Sequence, residues 1–374
     1  MPGAGSRVLV FLAAALAVPS PAAAQGAALS GVRGAVTGPD GAALEHVVIE
    51  IRHTDTGLTS SIRTDPAGRY AMTNLLAGGP YTLTASALGF ATHRISDVQL
   101  QAGRIHSYDF VLHPGAMTLP EVEVRASADP RFDTGRSGAS TVVSREEVTA
   151  HPTIERNVLE LASLSPMAAR AAGGTTIAGQ NARFNALQID GARYQDMFGA
   201  SPDGAPGGLA NARPLPLDAV DQFQVLIAPF DVRHSGFTGG LLNVVTRGGT
   251  NEWEGRGFGY YRDRNFVGSL DASAQSGETP DFRNSLAGIS VGGPIVRDRA
   301  HVFLAFEMER RTTSSSGYNL GSADAFATRI APDSAARLIE ILRDRYGMEP
   351  GRAAQVSLDN PRENLFVRAD WQLG

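Results

Sequence analysis

The amino-acid sequence predicts a mainly β protein in which three structural units follow an N-terminal targeting segment. Its 42 glycines, 21 prolines and 19% charged residues indicate many turns and short strands. Apolar and polar residues alternate in many segments after residue 29, which is the period of strands with one buried face. An apolar fraction of 43% is typical of a folded chain, so wholesale disorder is excluded.

The composition also excludes several classes of function. All 33 basic residues are arginine, so a P-loop, a lysine Schiff base and a serine–lysine dyad are absent. The lack of cysteine excludes thiol nucleophiles, thiolate zinc sites, disulfides and iron–sulfur clusters. A net charge of −5 gives no general attraction to nucleic acid.

Residues 1–24 predict a secretory signal peptide. The apolar run at residues 8–18 is followed by prolines and small residues, and Ala22 and Ala24 fit a cleavage site before Gln25. The alternative, a transmembrane or buried helix, is disfavoured because the run is about half the roughly 20 residues that span a bilayer. We expect a mature chain that begins at Gln25 outside the cytoplasm.

Residues 29–113 predict a small β-sandwich of short strands and tight turns. In the second predicted strand, Val47, Ile49 and Ile51 share one face, and the residues between them share the other. A last strand over residues 104–112 completes this unit.

Residues 114–126, PGAMTLPEVEVRA, predict a linker that carries an extended segment. Val122 and Val124 alternate with charged residues, so the segment has strand character without an obvious partner. It could add as an edge strand to the sheet of another protein, or it could be an edge strand or linker within this one.

Residues 127–250 predict an α+β domain. Ser144 and Glu147 have capping-box spacing at the start of a short helix, and a second helix is expected from Thr153 to Ser165. Asp190 and Gly191 predict a hairpin turn, which favours a turn-forming role for Asp190 over a ligand-binding one.

A long loop of turn-forming residues follows at 194–214. Tyr194, Met197 and Phe198 at its start either pack or face a ligand, and we carry them as tentative ligand-binding residues. Arg247, near the end of this domain, either binds substrate or forms an ion pair with the sheet that follows.

Residues 251–374 predict long antiparallel strands. Phe303, Ala305 and Glu307 alternate with apolar neighbours, as in outer-membrane strands or in a soluble sheet with one wet face. Residues 333–346 have helical spacing and predict a helix in a long loop.

Several blocks of sequence resemble two known families. GAVTGPDGAALEHVVIEI and TDPAGRYAMTNLLAGGPYTLTASALGF resemble the carboxypeptidase regulatory-like domain, a Greek-key β-sandwich with a carbohydrate-binding-like fold. LPEVEVRA resembles the TonB box of TonB-dependent outer-membrane receptors. RFNALQIDGARYQDMFG, SGFTGGLLNVVTRGGTN and SVGGPIVRDRAHVFLAFEMERR resemble the plug and first barrel strands of the Oar-like branch of those receptors.

The resemblance implies an α+β plug domain at 127–250, the start of an antiparallel transmembrane β-barrel at 251–374 and a periplasmic N-terminal domain at the outer membrane. It implies energy-coupled uptake of an unidentified extracellular ligand, with outer-membrane lipid and a TonB-type energy-transducing protein as partners. The segment that this protein would bind comprises Leu119, Pro120, Glu121, Val122, Glu123, Val124 and Arg125. No cofactor, metal, nucleic acid or catalytic residue is expected.

Two other functions stay open. An Oar-like surface or adhesion protein without transport would use the same fold. A secreted enzyme is disfavoured because the chain has no HExxH zinc motif. A receptor barrel that holds a plug has about 22 strands, more than residues 251–374 can supply, so we expect the chain to be the N-terminal fragment of a longer receptor.

Overall fold

The computed structural model describes residues 29–115, 122–125, 139–151, 153, 155–171, 174–196, 198, 201, 204–207, 212–227, 237–266, 282–314, 331–350 and 357–372. The predicted signal-peptide residues Ala22, Ala24 and Gln25 lie outside these ranges.

The N-terminal unit is the predicted β-sandwich. One sheet has the order β4-β1-β7 with β8 also paired to β1, and the other has the order β3-β2-β5-β6-β9. The strands are β1 Leu29–Thr37, β2 Val48–His53, β3 Thr59–Arg63, β4 Arg69–Leu76, β5 Gly78–Ser86, β6 His93–Leu100, β7 Ile105–Ser107, β8 Phe110–Val111 and β9 Val122–Arg125.

The core of the sandwich confirms the predicted alternation. Val47, Ile49 and Ile51 are at most 1% exposed and pack with Leu83 and Phe110 in one apolar cluster. The residues between them point away from that core, so a one-residue slip of β2 would place its apolar face in water.

The prediction of one continuous strand over residues 104–112 is wrong. The chain pairs with the first half of β1 as β7, leaves it, and pairs with the second half as β8. The break lies at Tyr108, whose backbone N–H donates to the Arg33 carbonyl at 2.8 Å. A Cβ on Gly34 would overlap the Tyr108 carbonyl oxygen, so only glycine permits this close approach.

The middle unit is built on a mixed sheet of order β10-β15-β16-β13-β14, with a separate β11-β12 hairpin. The strands are β10 Ala139–Val143, β11 Ala168–Ala171, β12 Gly174–Ile177, β13 Ala186–Ile189, β14 Ala192–Arg193, β15 Val220–Ile227 and β16 Gly240–Thr246. The helices are α1 Arg145–Ala150 and the 3₁₀ helices Val158–Leu164, Ala182–Phe184 and Leu217–Ala219.

Local sequence signals set two features of this unit. The capping box at α1 is confirmed: the Ser144 side chain accepts from the Glu147 N–H, and the Glu147 side chain accepts from the Ser144 N–H. The turn at Asp190 and Gly191 is confirmed too, with φ of +50° and +82° joining β13 to β14.

The second helix departs from its prediction. Among the described residues of 153–165 the helix is the 3₁₀ helix Val158–Leu164 and not a longer α-helix. Asn157 caps it by accepting from the Leu159 N–H, and its i→i+3 bonds include Ser165 N–H to the Ala162 carbonyl at 3.0 Å.

The C-terminal unit is an antiparallel sheet of order β17-β18-β19-β20. Its strands are β17 Glu254–Asp263, β18 Phe282–Val296, β19 Ala300–Ser314 and β20 Ser357–Trp371. A 3₁₀ turn, Arg264–Phe266, follows β17, and the predicted helix is present as α2 Pro332–Tyr346 between β19 and β20. No helix in the described ranges is long and apolar enough to cross a membrane.

The two faces of this sheet confirm the predicted alternation. Phe303, Ala305 and Glu307 are at most 3% exposed, and the two apolar ones join the core of the middle unit. The opposite face carries exposed apolar side chains such as Ile289 and Leu365, which are 55% and 59% exposed. The sheet therefore presents one face to the middle unit and an apolar face outward.

Candidate functional site

The extended segment β9 forms the outer edge of the second sandwich sheet. It runs parallel to β6, with His93 opposite Val122 and Ser96 opposite Arg125. The structure thus places the second half of the predicted coupling segment in a strand, while Leu119, Pro120 and Glu121 lie outside the described residues.

A buried ion-pair network joins the middle unit to the C-terminal sheet. The Arg156 guanidinium donates to Asp218 Oδ1 at 2.8 Å and to Glu307 Oε1 at 3.1 Å, and it lies 3.9 Å from the centre of the Phe258 ring. Arg256 approaches Asp218 at 3.5 Å. Burial lowers the pKa of Arg156, but the two carboxylates outweigh it and hold that pKa above its ordinary value.

A second buried group of charges lies along the same interface. Glu309 of β19 is within 3.5 Å of Arg213 from the middle unit and 2.5 Å of Arg362 from β20. Burial and the charge of Arg362 lower the pKa of Arg213 to about 10, so Arg213 stays protonated at neutral pH. The interface therefore excludes water from charges of both signs.

The end of β16 is hydrogen-bonded both to the turn between β13 and β14 and to β20. Asp190 accepts from the Thr246 N–H at 2.8 Å and contacts its hydroxyl at 2.5 Å. Arg368 of β20 donates to the Thr246 carbonyl at 2.6 Å. Arg247 pairs with Glu254 at the start of β17, so the predicted ion pair is present, while substrate binding by Arg247 stays a prediction.

The sandwich also contacts the middle unit and the start of the C-terminal unit. Ala102 donates its N–H to Gln222 at 3.0 Å and accepts from Gln224 at 3.4 Å, while Asn251 donates its N–H to the Asp55 carbonyl at 2.7 Å.

A cavity of about 440 Å³ opens where the three units meet, and His53, Asp221 and Arg247 are among its lining residues. Burial raises the pKa of Asp221 to about 6, and the nearby arginines offset only part of this rise. Burial, with the proximity of His301, lowers the pKa of His53 to about 4, so His53 is neutral at pH 7. The cavity is thus lined by charged groups of both signs, such as Asp221 and Arg247, as well as by neutral polar groups such as His53.

The three tentative ligand residues have different environments. Tyr194 is partly buried against the core of the middle unit, and its N–H donates to the Leu187 carbonyl at 2.8 Å. Phe198 is 92% exposed, and Met197 lies outside the described residues. Ligand binding by these residues stays a prediction.

Sequence reasoning missed the buried charges at the interface. Glu307 and Glu309 occupy alternate positions on the inner face of β19. Two acidic residues at the inward positions of an otherwise apolar strand were a usable signal, because a buried carboxylate requires a buried cation nearby. In the part of the chain that the structure describes, no three His, Asp or Glu side chains gather as a metal site would require.

Comparison with family models defines the class of protein. Residues 31–113 match the carboxypeptidase regulatory-like domain, and residues 245–328 match an outer membrane β-barrel domain. The chain is therefore an outer-membrane protein of the Gram-negative type that carries a regulatory-like β-sandwich at its N-terminus.

Within that class the chain is homologous to the TonB-dependent transporter Oar of Myxococcus xanthus. The two are 27% identical over 259 residues, which is 66% of this chain and 23% of the relative. The chain thus spans about a quarter of the length of the curated relative that it matches.

Solved outer-membrane receptors also align with parts of the chain. The siderophore receptor PirA from Acinetobacter baumannii is 16% identical, with 49% of this chain and 26% of that chain covered at a TM-score of 0.34. The outer membrane transporter YddB from Escherichia coli is 14% identical, with 62% and 30% covered at a TM-score of 0.42. Overlaps this limited do not define a function.

Proposed function

We propose that this protein is a TonB-dependent outer-membrane transporter that takes up an unidentified extracellular ligand. The middle unit acts as the plug, and the C-terminal sheet is part of the barrel wall around it. The proposal rests on one observation above all: the middle unit lies against the inner face of a sheet whose outer face is apolar, and buried ion pairs such as Arg156–Glu307 join the two. Homology to a TonB-dependent transporter supports it.

In this proposal residues 119–125 are the segment that a TonB-type protein binds from the periplasm. An extended, Val-alternating peptide can pair with a strand of the partner, where backbone hydrogen bonds supply the affinity. Pulling on this segment would remodel the plug and open a path for the ligand. Chemical catalysis forms no part of this function, and the curated relative is a transporter.

The test replaces the two valines of the segment. Val122→Pro with Val124→Pro removes two backbone N–H groups, whereas Val122→Ala with Val124→Ala keeps them. We expect the detergent-solubilised proline variant to lose binding to the soluble periplasmic domain of the TonB-type protein from the same bacterium, and the alanine variant to keep it. Equal binding by both variants would contradict the proposed coupling segment.

The surface or adhesion function predicts a different outcome in cells. If the protein only attaches to a matrix, the proline variant and a proton uncoupler leave attachment unchanged, and no solute accumulates in an energy-dependent way. Transport predicts accumulation from a mixture of candidate solutes that is lost with the proline pair and retained with the alanine pair.

A further inference from the structure

The N-terminal sandwich holds the same segment on the edge of its second sheet. In the described residues, β9 is the last strand of the order β3-β2-β5-β6-β9, and it pairs with β6 in register from His93–Val122 to Ser96–Arg125. The chain that precedes β9 is held near the start of β6, because Gly115 donates its N–H to the Gly89 carbonyl at 3.2 Å.

β6 is held in place by core packing and by pairing with β5, so it can support an added strand. Ile95 and Val98 are 9% and 0% exposed in the sandwich core, and the His93 ring lies edge-on to Phe110 at 5.4 Å. On its other side β6 is paired with β5. Its remaining edge would be an open row of N–H and C=O groups without β9, and such edges favour strand addition.

We propose that the sandwich is a holding site for the coupling segment, and that the TonB-type partner must take the segment from β6 by strand exchange. This inference rests on the proposed function. Successive residues of a strand direct their backbone groups to opposite edges. Docked β9 therefore has one of its two edges occupied by β6. A partner strand that uses this same edge of the segment can pair with it only after β9 has left β6.

The docking is short enough to be exchangeable. Each backbone hydrogen bond contributes a net of about 1 kcal/mol, so a strand of four residues is held weakly compared with the sandwich itself. If a partner strand replaces these hydrogen bonds one by one, the free-energy cost of the exchange is small. Docking on the sandwich therefore raises the affinity that the TonB-type partner needs in order to bind the segment, but it does not prevent binding.

A disulfide between β6 and β9 tests this inference, and the natural chain has no cysteine to interfere. Ser96→Cys with Arg125→Cys joins positions that are directly opposite each other. Opposite Cα atoms of paired strands are about 4.8 Å apart, which suits a disulfide. The matched control, Ser96→Cys with Glu123→Cys, is two residues out of register, and its Cα atoms are about 8 Å apart, beyond disulfide range.

We expect the in-register pair to oxidise in the full-length protein in its outer membrane, and the control pair to stay largely reduced. The oxidised protein should bind the soluble TonB domain at least about tenfold more weakly, a loss of about 1.4 kcal/mol, and reductant should restore binding. Equal oxidation of both pairs would overturn docking, and full binding by the oxidised protein would overturn strand exchange in favour of addition at the outer edge. If the reduced protein fails to bind as well, the proposed function fails, while the oxidation yields still decide the docking.

Discussion

Replacing Arg156 tests whether buried charges hold the middle unit against the C-terminal sheet. Arg156→Met removes both charge-assisted hydrogen bonds and leaves Asp218 and Glu307 buried, with side chains only 6% and 3% exposed. Breaking a buried pair by removing one partner costs about 3–5 kcal/mol. Arg256 still lies 3.5 Å from Asp218, so we expect the lower end, about 3 kcal/mol.

The assay is hydrogen–deuterium exchange across Val158–Leu164, the 3₁₀ helix that follows Arg156. A loss of about 3 kcal/mol raises the open population of this region more than about a hundredfold, and its amides exchange faster by that factor. Arg310→Met is the matched control, because Arg310 and Glu363 are also 2.8 Å apart but 48% and 59% exposed. Such an exposed pair contributes less than about 1 kcal/mol.

A second variant separates the lost charge pair from lost packing. Adding Glu307→Gln to Arg156→Met removes the uncompensated carboxylate, so the double variant should be less destabilised than the sum of the two single ones by about 1 kcal/mol or more. The reasoning is refuted if Arg156→Met accelerates exchange no more than Arg310→Met, or if the two substitutions are simply additive.

Three further predictions concern other parts of the chain. The pKa of Asp221 is raised by burial from 3.8 to about 6, so folding takes up a proton in that window and stability from this group is lost as the pH rises through it. Asp221→Asn should therefore raise Tm, most strongly above pH 6 and progressively less toward about pH 4. Ser144→Ala should destabilise α1 by about 1 kcal/mol, measured by amide exchange of the helix. Trp253 and Trp371, 65% and 67% exposed at the same end of the sheet, should be quenched more by lipids brominated near the headgroup than near the chain end.

Each of these predictions has its own control. Asp40→Asn, in the exposed turn before Gly41, is the surface control for Asp221→Asn, and a Tm gain as large as that of Asp221→Asn would contradict the role of burial. Ser144→Asp keeps a capping oxygen and should retain most of the stability of α1. The first prediction is contradicted if Asp221→Asn raises Tm equally at acid and neutral pH. The second is contradicted if amide exchange of α1 is unchanged in Ser144→Ala. The third is contradicted if quenching of the tryptophans does not depend on the depth of the bromine atoms.

The features that sequence reasoning predicted well depend on neighbouring residues. The capping box needs only Ser144 and Glu147, and the hairpin turn needs only Asp190 and Gly191 to adopt positive φ. The break between β7 and β8 was not predictable in this way. It arises where the chain crosses Gly34, a residue of β1 about seventy positions earlier, so no local pattern marks it.

The candidate site shows the same limit. Arg156 lies 62 positions from Asp218 and 151 positions from Glu307, and only the fold brings the three together. The strand character of Val122–Arg125 was readable from its alternating valines, and the choice between an external and an internal partner was not. The structure pairs this segment with β6 because an open sheet edge lies within reach of the preceding linker.

The chemistry of the interface bears on how the middle unit, as the proposed plug, can be both securely held and removable. Phe303 and Ala305 give it an apolar centre, but Arg156, Glu307 and Glu309 place charges beside that centre with almost no exposure. Attraction between these charges is strong only while water is excluded. In the proposed transporter, once a pull on the middle unit admits water, the carboxylates and guanidiniums are solvated separately, and the attraction that resisted the first movement weakens for the next. An interface of this kind yields abruptly, whereas a purely apolar one would lose contact area in proportion to the displacement.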